Sequence, residues 1–353
     1  MKILHTADWH LDAPFAWAEP ELRDKLHKEQ LKLPEKIVRL AKEEGCDLIA
    51  IAGDIFDGPY TAESLEAVRR ALADSGLPVF ITPGNHDFVG VGSPWTEARW
   101  SDNVHIFTGG LESITVEGLN CRIYGAGYRS MDCDPLLEGF RASGAEKFHI
   151  GILHGDPGTQ SSPYCPVSTG QVRDSGLDYL ALGHIHKAGS FAAGSTLCQW
   201  PGCPMGRGFD ETGDKGVYIV TLDEKCESVF HCLGSTRFFD LEADTTAGAV
   251  SALEKLLPPV PSEDIYRIRL VGEGEGELRQ LYAAFGHIPN LTLTDSREAP
   301  VDLWACAGED TLEGVYFALL REMAESDDPA LSAQAMEAAR ISRRLLDGKE
   351  VRL

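Results

Sequence analysis

Five short motifs of Asp, His and Asn residues follow one another between residues 8 and 186. They are Asp8-Trp9-His10, Gly53-Asp54-Ile55-Phe56-Asp57, Gly84-Asn85-His86-Asp87, His154-Gly155 and Gly183-His184-Ile185-His186. Carboxylate oxygens, amide oxygens and neutral imidazoles together suit Mn²⁺ or Fe²⁺ better than thiol-seeking ions. Seven side chains are candidate ligands: Asp8, His10, Asp54, Asn85, His154, His184 and His186. The set predicts a centre for two divalent ions, of the kind used to hydrolyse phosphate esters.

Each motif follows a short apolar run that predicts a buried strand. These runs cover residues 3–4, 47–52, 78–81, 148–153 and 178–182. In layered α/β sheets, ligands bind beyond the carboxyl ends of the strands. Asp8 and His10 are two residues apart, as are His184 and His186, and an extended backbone points such a pair the same way. We therefore expect the candidate ligands to converge at one edge of a sheet.

Helical segments between the early strands indicate a layered α/β fold. Residues 21–44 are predicted to be helical with a break at Pro34. A second helix is predicted over residues 61–73, with Thr61 as its N-cap. The resulting β-α-β-α-β order predicts a parallel sheet covered by helices.

The later part of the chain predicts more strands and a domain boundary. Short β-like runs within residues 103–125 and 189–241 favour a sandwich of two sheets over a single doubly wound sheet. The composition changes at residues 242–247, which we interpret as the end of a catalytic domain, residues 1–242. The second domain, residues 246–353, is predicted to be α+β and to end in two helices.

Composition and charge narrow the functional classes. The 353 residues include 32 basic and 55 acidic side chains, giving a net charge of −23, which argues against a general nucleic-acid coat protein. Two bound divalent ions would add about +4 locally and reverse the field in a cleft. The chain has no apolar run long enough to cross a membrane. Its nine cysteines are scattered, and its first strand begins at once, so we expect reduced thiols and a cytoplasmic location.

With these motifs in order, the chain resembles the calcineurin-like metallophosphoesterase superfamily, and within it the DNA-repair exonucleases of the SbcD and Mre type. The narrower resemblance depends on residues 3–11, 103–107 and 178–187, and on Pro201-Gly202, Gly206-Arg207, Glu211 and Lys215-Gly216. It covers residues 1–240. It implies a four-layer α/β/β/α metallophosphoesterase sandwich with a small C-terminal α+β capping domain.

The resemblance also implies roles for the motif residues. Asp8, His10, Asp54 and His186 would hold one ion, and Asp54, Asn85, His154 and His184 the second, with Asp54 as the bridge. Such a pair lowers the pKa of a bridging water, and the resulting hydroxide attacks phosphorus in line with the leaving oxygen. The catalytic residues would be His86, which stabilises or protonates the leaving oxygen, and Asp87, which would orient the His86 ring.

Three further residues are candidate substrate contacts. Trp100 and Tyr128 follow the Asn-His-Asp motif and a later strand, where an aromatic ring could stack on an unpaired base. Packing in the core or anchoring a loop is the alternative for both. Arg207 follows a loop rich in Gly and Pro and could contact a substrate phosphate, with an ordinary ion pair as its alternative.

Three functions are compatible with this pattern. The first is a Mn²⁺-dependent DNA exonuclease subunit of a DNA repair complex; relatives of this type work with a coiled-coil ATPase of the SbcC type and commonly form homodimers. The second is a small-nucleotide phosphodiesterase or phosphoprotein phosphatase with the same dimetal site. The third is a scaffold with a vestigial centre, which the complete ligand set disfavours. The additional domain favours the nuclease, whereas the charge of −23 favours the second function.

Overall fold

The computed structural model describes residues 1–158, 161–299 and 301–348. Chain contacts divide it into two compact units. The first contains residues 1–240, 263–267 and 288–291, and the second contains residues 241–262, 268–287 and 292–353. Residues 349–353, which end the predicted second domain, lie outside the described residues.

The two units contain the following strands and helices among the described residues. In chain order the strands are β1 (Lys2–Thr6), β2 (Leu48–Ile51), β3 (Val79–Ile81), β4 (Val104–Ile106), β5 (Glu112–Val116), β6 (Cys121–Gly125), β7 (Phe148–His154), β8 (Tyr179–Gly183), β9 (Lys187–Ala193), β10 (Thr196–Gly202), β11 (Gly216–Leu222), β12 (Cys226–Cys232), β13 (Phe238–Asp244), β14 (Ile265–Val271) and β15 (Leu291–Asp295). The helices are α1 (Pro20–Gln30), α2 (Leu33–Glu43), α3 (Ala62–Ser75), α4 (Pro94–Glu97), α5 (Thr169–Asp174), α6 (Ala249–Glu254), α7 (Leu278–Ala284), α8 (Leu312–Ala324) and α9 (Pro329–Leu346).

Two six-stranded sheets form a sandwich. The first has the order β12-β11-β1-β2-β3-β4, and the second has the order β5-β6-β7-β8-β10-β9. Strands β1 to β4 run parallel, as do β6, β7, β8 and β10. The carboxyl ends of five of these strands, β1, β2, β3, β7 and β8, lead into the five motifs. The predicted two-sheet α/β sandwich is therefore confirmed.

The burial of β2 shows why its sequence is apolar throughout. Leu48 and Ala50 face the second sheet and join the core between the sheets. Ile49 and Ile51 point the opposite way and pack in the core that the first sheet shares with α2 and α3. Successive side chains of a strand alternate between faces, so a strand covered on both sides reads as a continuous apolar run.

Proline and N-cap residues explain where the helices that pack on the first sheet begin. The chain breaks between α1 and α2, and Pro34 lies in the first turn of α2, where a missing N–H is tolerated. Thr61 caps α3, because its hydroxyl accepts a hydrogen bond from the Ser64 N–H at 3.1 Å. The predicted N-cap is confirmed, whereas the predicted break occurs at residues 31–32, just before Pro34 and not at it.

The second unit contains helices α6 to α9 and parts of the three-stranded sheet β13-β14-β15. Helices α8 and α9 pack together through a small core that includes Phe317, Leu320 and Ala339. Another face of α8 exposes an apolar stripe: Leu312, Val315, Tyr316, Leu319 and Met323. Among the described residues, no helix is both long and apolar enough to cross a membrane.

Candidate metal centre

The loops after β1 and β2 stay paired beyond the ends of the strands. The backbone N–H of Asp8 donates to Gly53 O, and that of His10 donates to Asp54 O, both at 3.0 Å. Gly53 has a φ of +92°, and a Cβ at this position would overlap the ring of His154. Glycine is therefore required where this turn approaches the His154 side chain.

Backbone strain is concentrated among the predicted ligands. Asp8, His10, Asp54 and His184 have positive φ values of 53°, 44°, 53° and 96°. Such conformations cost roughly 1–3 kcal/mol each and persist only where the surroundings enforce them. The fold therefore holds four of the seven candidate ligands in conformations that relaxed loops avoid.

One group of donor atoms comes from Asp8, His10 and His186. Their ligand atoms lie within 4.8 Å of one another. The Nε2 atoms of His10 and His186 face each other at 3.1 Å, and Asp54 Oδ2 is 3.7 Å from His10 Nε2. Both Asp8 oxygens accept the backbone N–H of His184, at 2.9 and 3.1 Å. The four residues predicted to hold the first ion are thus brought together.

A second group surrounds Asp54. Its Oδ1 accepts the backbone N–H of His86 at 2.9 Å, which directs Oδ2 toward His154 Nε2 at 3.3 Å. Asn85 Oδ1 lies 2.9 Å from the same Nε2. His154 Nδ1 is 2.8 Å from Ala52 O, an acceptor, so Nδ1 carries a proton and Nε2 is the nitrogen that a cation could use. Asp54 Oδ2, Asn85 Oδ1 and His154 Nε2 therefore face one point, as a cation site requires.

The ring of His184 lies next to this second group. Its ring packs edge-on against His154, with centroids 5.2 Å apart, and lies 4.7 Å from the Tyr164 ring. It is not part of the Asp and His groups found among the described residues. Burial and the neighbouring His154 lower the pKa of His184 to about 4, which keeps its imidazole neutral.

The charges of the site favour cations. Burial alone would lower the pKa of His154, but the carboxylates of Asp54 and Asp8 raise it to about 9. Burial raises the pKa of Asp87 to about 7, and the charge of Asp54 adds to this shift. Buried carboxylates that repel one another are stabilised by a bound cation. The donor set and the field therefore fit divalent ions.

A family model of calcineurin-like phosphoesterases matches residues 1–188, which include all five motifs. The chain is a calcineurin-like phosphoesterase. The family implies two divalent metal ions, and in this phosphoesterase the groups around Asp8 and Asp54 are their candidate site.

Two curated relatives come from Bacillus subtilis (strain 168). The phosphoesterase is 34% identical over 237 residues to the uncharacterized metallophosphoesterase YhaO, covering 62% of this chain and 57% of that protein. It is 27% identical over 265 residues to the SbcD subunit of the nuclease SbcCD, covering 62% of this chain and 66% of that protein. The chain thus spans less than two thirds of either relative's length.

Among solved structures, a dimetal phosphatase from Danio rerio is similar. That match covers 67% of this chain and 97% of the other, with 13% sequence identity and a TM-score of 0.45.

Asp57, and not Asp87, holds the ring of His86. Asp57 Oδ1 lies 3.2 Å from His86 Nδ1 and 2.8 Å from His10 Nδ1. Asp87 instead accepts backbone N–H groups of Gly84 and Ile55, both at 2.8 Å. The expectation that Asp87 orients His86 is therefore wrong. The Asp87 carboxylate instead links the two loops, because it accepts hydrogen bonds from a backbone N–H group of each. Sequence spacing suggested the adjacent residue, whereas the partner comes from the preceding motif.

Hydrogen bonds also set the charge of this pair. Although burial opposes the shift, hydrogen bonds with His10 and His86 hold the pKa of Asp57 well below its usual range. The same contact raises the pKa of His86. With 40% of its side chain exposed, His86 is an open imidazole beside buried ligands.

Arg207 lies in the centre, but its guanidinium is paired. It contacts Glu211 Oε1 at 2.6 Å, Asp57 Oδ1 at 3.2 Å and His186 Nδ1 at 2.9 Å. Glu211 Oε1 is also 2.7 Å from His186 Nδ1. The sequence analysis assigned no role to Glu211, although Glu211 is one of the residues on which the narrower family resemblance depends. Of the two interpretations of Arg207, the structure shows the ion pair.

The two candidate aromatic contacts serve packing. Tyr128 is 1% exposed, and its ring meets the His154 ring edge-on at 5.4 Å. Trp100 stacks on Trp95 at 5.4 Å, and its indole N–H donates to Pro94 O at 3.0 Å. The expectation that Tyr128 stacks on a base is wrong because its ring is buried. Trp100 anchors the loop after the Asn-His-Asp motif.

Proposed function

We propose that this phosphoesterase is a metal-dependent phosphodiester hydrolase, and specifically a DNA exonuclease that acts in a repair complex. The observation that carries the proposal is the position of His86. Its exposed imidazole, held by Asp57 at 3.2 Å, lies beside His10 and Asp54, and its ligand atom is within 4.8 Å of theirs. A phosphodiester leaves an alkoxide that needs a proton, and an imidazole with a raised pKa can supply it at neutral pH.

Two ions would be held by the residue sets predicted from the sequence. Asp8, His10 and His186 would hold one ion, Asn85, His154 and His184 would hold the other, and Asp54 would be a ligand of both. When bound, the ions would lower the pKa of a water and neutralise charge on the phosphoryl oxygens. We propose Mn²⁺, since oxygen and imidazole donors without thiolate suit it.

Protein groups then perform the remaining tasks. Asp57 fixes the ring of His86 so that Nε2, its other nitrogen, points away from the carboxylate. His86 would donate the Nε2 proton to the leaving oxygen and recover it from solvent. Asp54 Oδ1 is fixed by the His86 backbone N–H, which couples the position of the acid to that of the bridging carboxylate.

Support for a DNA substrate comes from one relative. The SbcD subunit of the nuclease SbcCD is 27% identical over 265 residues. The second unit adds chain beyond the matched family region, which a polymer substrate could use for guidance. The net charge of −23 favours the alternative, a phosphodiesterase of small nucleotides or a phosphoprotein phosphatase.

Hydrolysis assays separate these functions. The purified chain with Mn²⁺ is incubated with end-labelled single- and double-stranded DNA, a phosphopeptide and bis-p-nitrophenyl phosphate. We expect stepwise shortening of DNA. Cleavage of the small diester with intact DNA would reject the nuclease and retain a phosphodiesterase, whereas release of phosphate from the peptide alone would indicate a phosphatase.

A variant tests the acid. His86→Ala should retain two Mn²⁺ ions and lose roughly 10²–10⁴-fold in turnover. His231→Ala is a matched control, because His231 is a partly exposed histidine paired with Glu44 at 3.8 Å. Loss of an ion from His86→Ala would instead show that His86 is a ligand.

For partners, we propose that the apolar stripe of α8 binds a helical segment of a coiled-coil ATPase of the SbcC type. Leu312, Val315 and Leu319 are 89%, 54% and 56% exposed. Apolar residues exposed together on one helix face mark an interaction site more often than single exposed ones do. Glu309 and Glu322 line the groove beside this stripe, which suits a basic helix. A homodimer through the same stripe is disfavoured, since two acidic rims would meet.

The oligomeric state tests this choice. Light scattering during gel filtration measures the molar mass. We expect both the wild-type chain and the Leu319→Glu variant to be monomers. A dimer that Leu319→Glu converts to a monomer would assign the stripe to a second copy of the chain.

A further inference from the structure

His186 Nδ1 has two neighbours with incompatible requirements. Glu211 Oε1 lies 2.7 Å away and Arg207 Nη2 lies 2.9 Å away. A carboxylate only accepts hydrogen bonds and a guanidinium only donates them. Nδ1 of a neutral ring has either a proton or a lone pair, so it can satisfy one neighbour at a time.

The other nitrogen of His186 determines which neighbour is satisfied. Its Nε2 lies 3.1 Å from His10 Nε2. His10 Nδ1 lies 2.8 Å from Asp57 Oδ1, an acceptor, so the His10 proton is on Nδ1 and its Nε2 has a lone pair. Two nitrogens at hydrogen-bond distance need one proton between them, and only His186 can supply it.

For a neutral His186 ring, two proton arrangements therefore exist in this cluster. In the first, Arg207 donates to His186 Nδ1, His186 Nε2 donates to His10, and His10 Nδ1 donates to Asp57. In the second, His186 Nδ1 donates to Glu211, and the Nε2 atoms of His186 and His10 both present lone pairs. Only the second arrangement can bind a cation between the two rings.

We infer that Arg207 and Glu211 are positioning residues that select the tautomer of His186, and that cation binding exchanges the Arg207 contact for the Glu211 contact. The inference rests on the proposed role of His186 as a metal ligand. One proton leaves Nε2 and one is taken up at Nδ1, so the charge of the ring is unchanged. Its side chain is 30% exposed, which lets water carry the proton.

The packing of Glu211 suits this role. Glu211 is 5% exposed, and its Oε2 accepts the backbone N–H of Arg207 at 2.8 Å. The carboxylate is therefore fixed, whereas the guanidinium can keep its contacts with Glu211 and Asp57 when it releases His186. The exchange needs a shift of one N–H and no movement of the backbone.

The test reads the tautomer directly. The full chain is labelled with ¹⁵N-histidine, and two-bond ¹H–¹⁵N spectra are recorded after chelation and after titration with Zn²⁺, a d¹⁰ ion without redox chemistry. His186→Gln identifies the resonances. We expect the proton on Nε2 after chelation and on Nδ1 with Zn²⁺. A proton on Nδ1 in both states, or protons on both nitrogens after chelation, would overturn the inference.

Variants add a binding readout. Glu211→Gln should weaken one of two Zn²⁺ binding steps by ~10–100-fold and leave the other step unchanged. Arg207→Lys retains a charge beside Glu211 but cannot reach three partners, so its chelated form should already have the proton on Nδ1. Glu146→Gln is the matched control, because Glu146 accepts from Arg122 at 2.9 Å outside the site.

The outcomes separate this inference from the proposed function. Two Zn²⁺ ions bound with no change of tautomer would reject the exchange and leave the hydrolase intact. No Zn²⁺ binding would reject both. If Glu211→Gln and Glu146→Gln lost the same Zn²⁺ affinity, Glu211 would not select the tautomer of His186 and would have a structural role only.

Discussion

His5 and His10 lie five residues apart, and both are completely buried, yet their ring nitrogens face different surroundings. His5 Nδ1 contacts the Tyr179 hydroxyl at 2.7 Å, and its Nε2 contacts Leu182 O at 3.0 Å. Both nitrogens are satisfied by groups of the second sheet. In His10, Nδ1 is satisfied by Asp57, whereas Nε2 faces another imidazole nitrogen at 3.1 Å.

The difference shows that burial alone does not distinguish a structural histidine from a candidate ligand. A core histidine uses one nitrogen as donor and the other as acceptor. A ligand histidine has its Nδ1 proton fixed and its Nε2 lone pair aimed at other acceptors. Only the partner of the second nitrogen separates the two kinds.

The largest expected effect is a loss of metal and activity at the site that contains His10. Asp54→Asn should remove both ions, because Oδ2 faces His10 Nε2 at 3.7 Å and His154 Nε2 at 3.3 Å. Activity should fall by more than the ~10–100-fold typical of a residue that only supports a ligand. Metal content per chain is measured by mass spectrometry after gel filtration.

Asp178→Asn is the control, since Asp178 accepts the His149 backbone N–H at 2.7 Å near a strand end. One ion retained in Asp54→Asn would show that Asp54 serves a single ion.

The sequence could predict which candidate ligands converge, but not the geometry in which they do so. Asp8, His10 and Asp54 were identified because they follow apolar runs, and parallel strands bring their carboxyl ends to one edge. Their positive φ values could not be predicted, since local preference favours other conformations for Asp and His. These values arise from pairing between the loops after β1 and β2, which is a tertiary effect.

The roles of supporting residues were the least predictable part. Asp87 was preferred over Asp57 as the partner of His86 because it is adjacent in sequence. Rings are oriented by whichever carboxylate lies in their plane in space, and this depends on how two separate loops pack. Similarly, the contact of Glu211 with His186 depends on the path of the chain between β10 and β11.

A smaller effect tests the orienting carboxylate. Asp57→Asn should lower kcat by ~10–100-fold at saturating Mn²⁺, because His86 loses its partner. Contact with Asp57 raises the pKa of His86, so its removal should lower that pKa. A general acid must be protonated, so the rate should fall off at a lower pH than in the wild type. The pH–rate profile of kcat measures this shift.

Asp87→Asn is the matched variant, because Asp87 contacts backbone N–H groups and not His86. A shifted profile in Asp87→Asn, with Asp57→Asn unchanged, would restore the sequence-based assignment.

The smallest expected effect is on the free energy of unfolding and arises from His5 in the core. Burial lowers the pKa of His5 to about 3, whereas the unfolded chain has an ordinary value near 6.5. Between these values the unfolded state binds the extra proton. The free energy of unfolding should therefore fall as the pH drops from about 6.5 toward 3, at a slope of up to about 1.4 kcal/mol per pH unit from this residue.

His5→Gln isolates that slope, because glutamine retains a donor and an acceptor but does not titrate. Urea unfolding in the presence of chelator, at several pH values between 4 and 7, compares the two proteins. We expect the variant to be less stable at pH 7, where the histidine packs better, and to lose less stability on acidification. Parallel pH dependences would mean that His5 takes up its proton at the same pH in the folded and the unfolded chain, and the contrast with His10 would then fail.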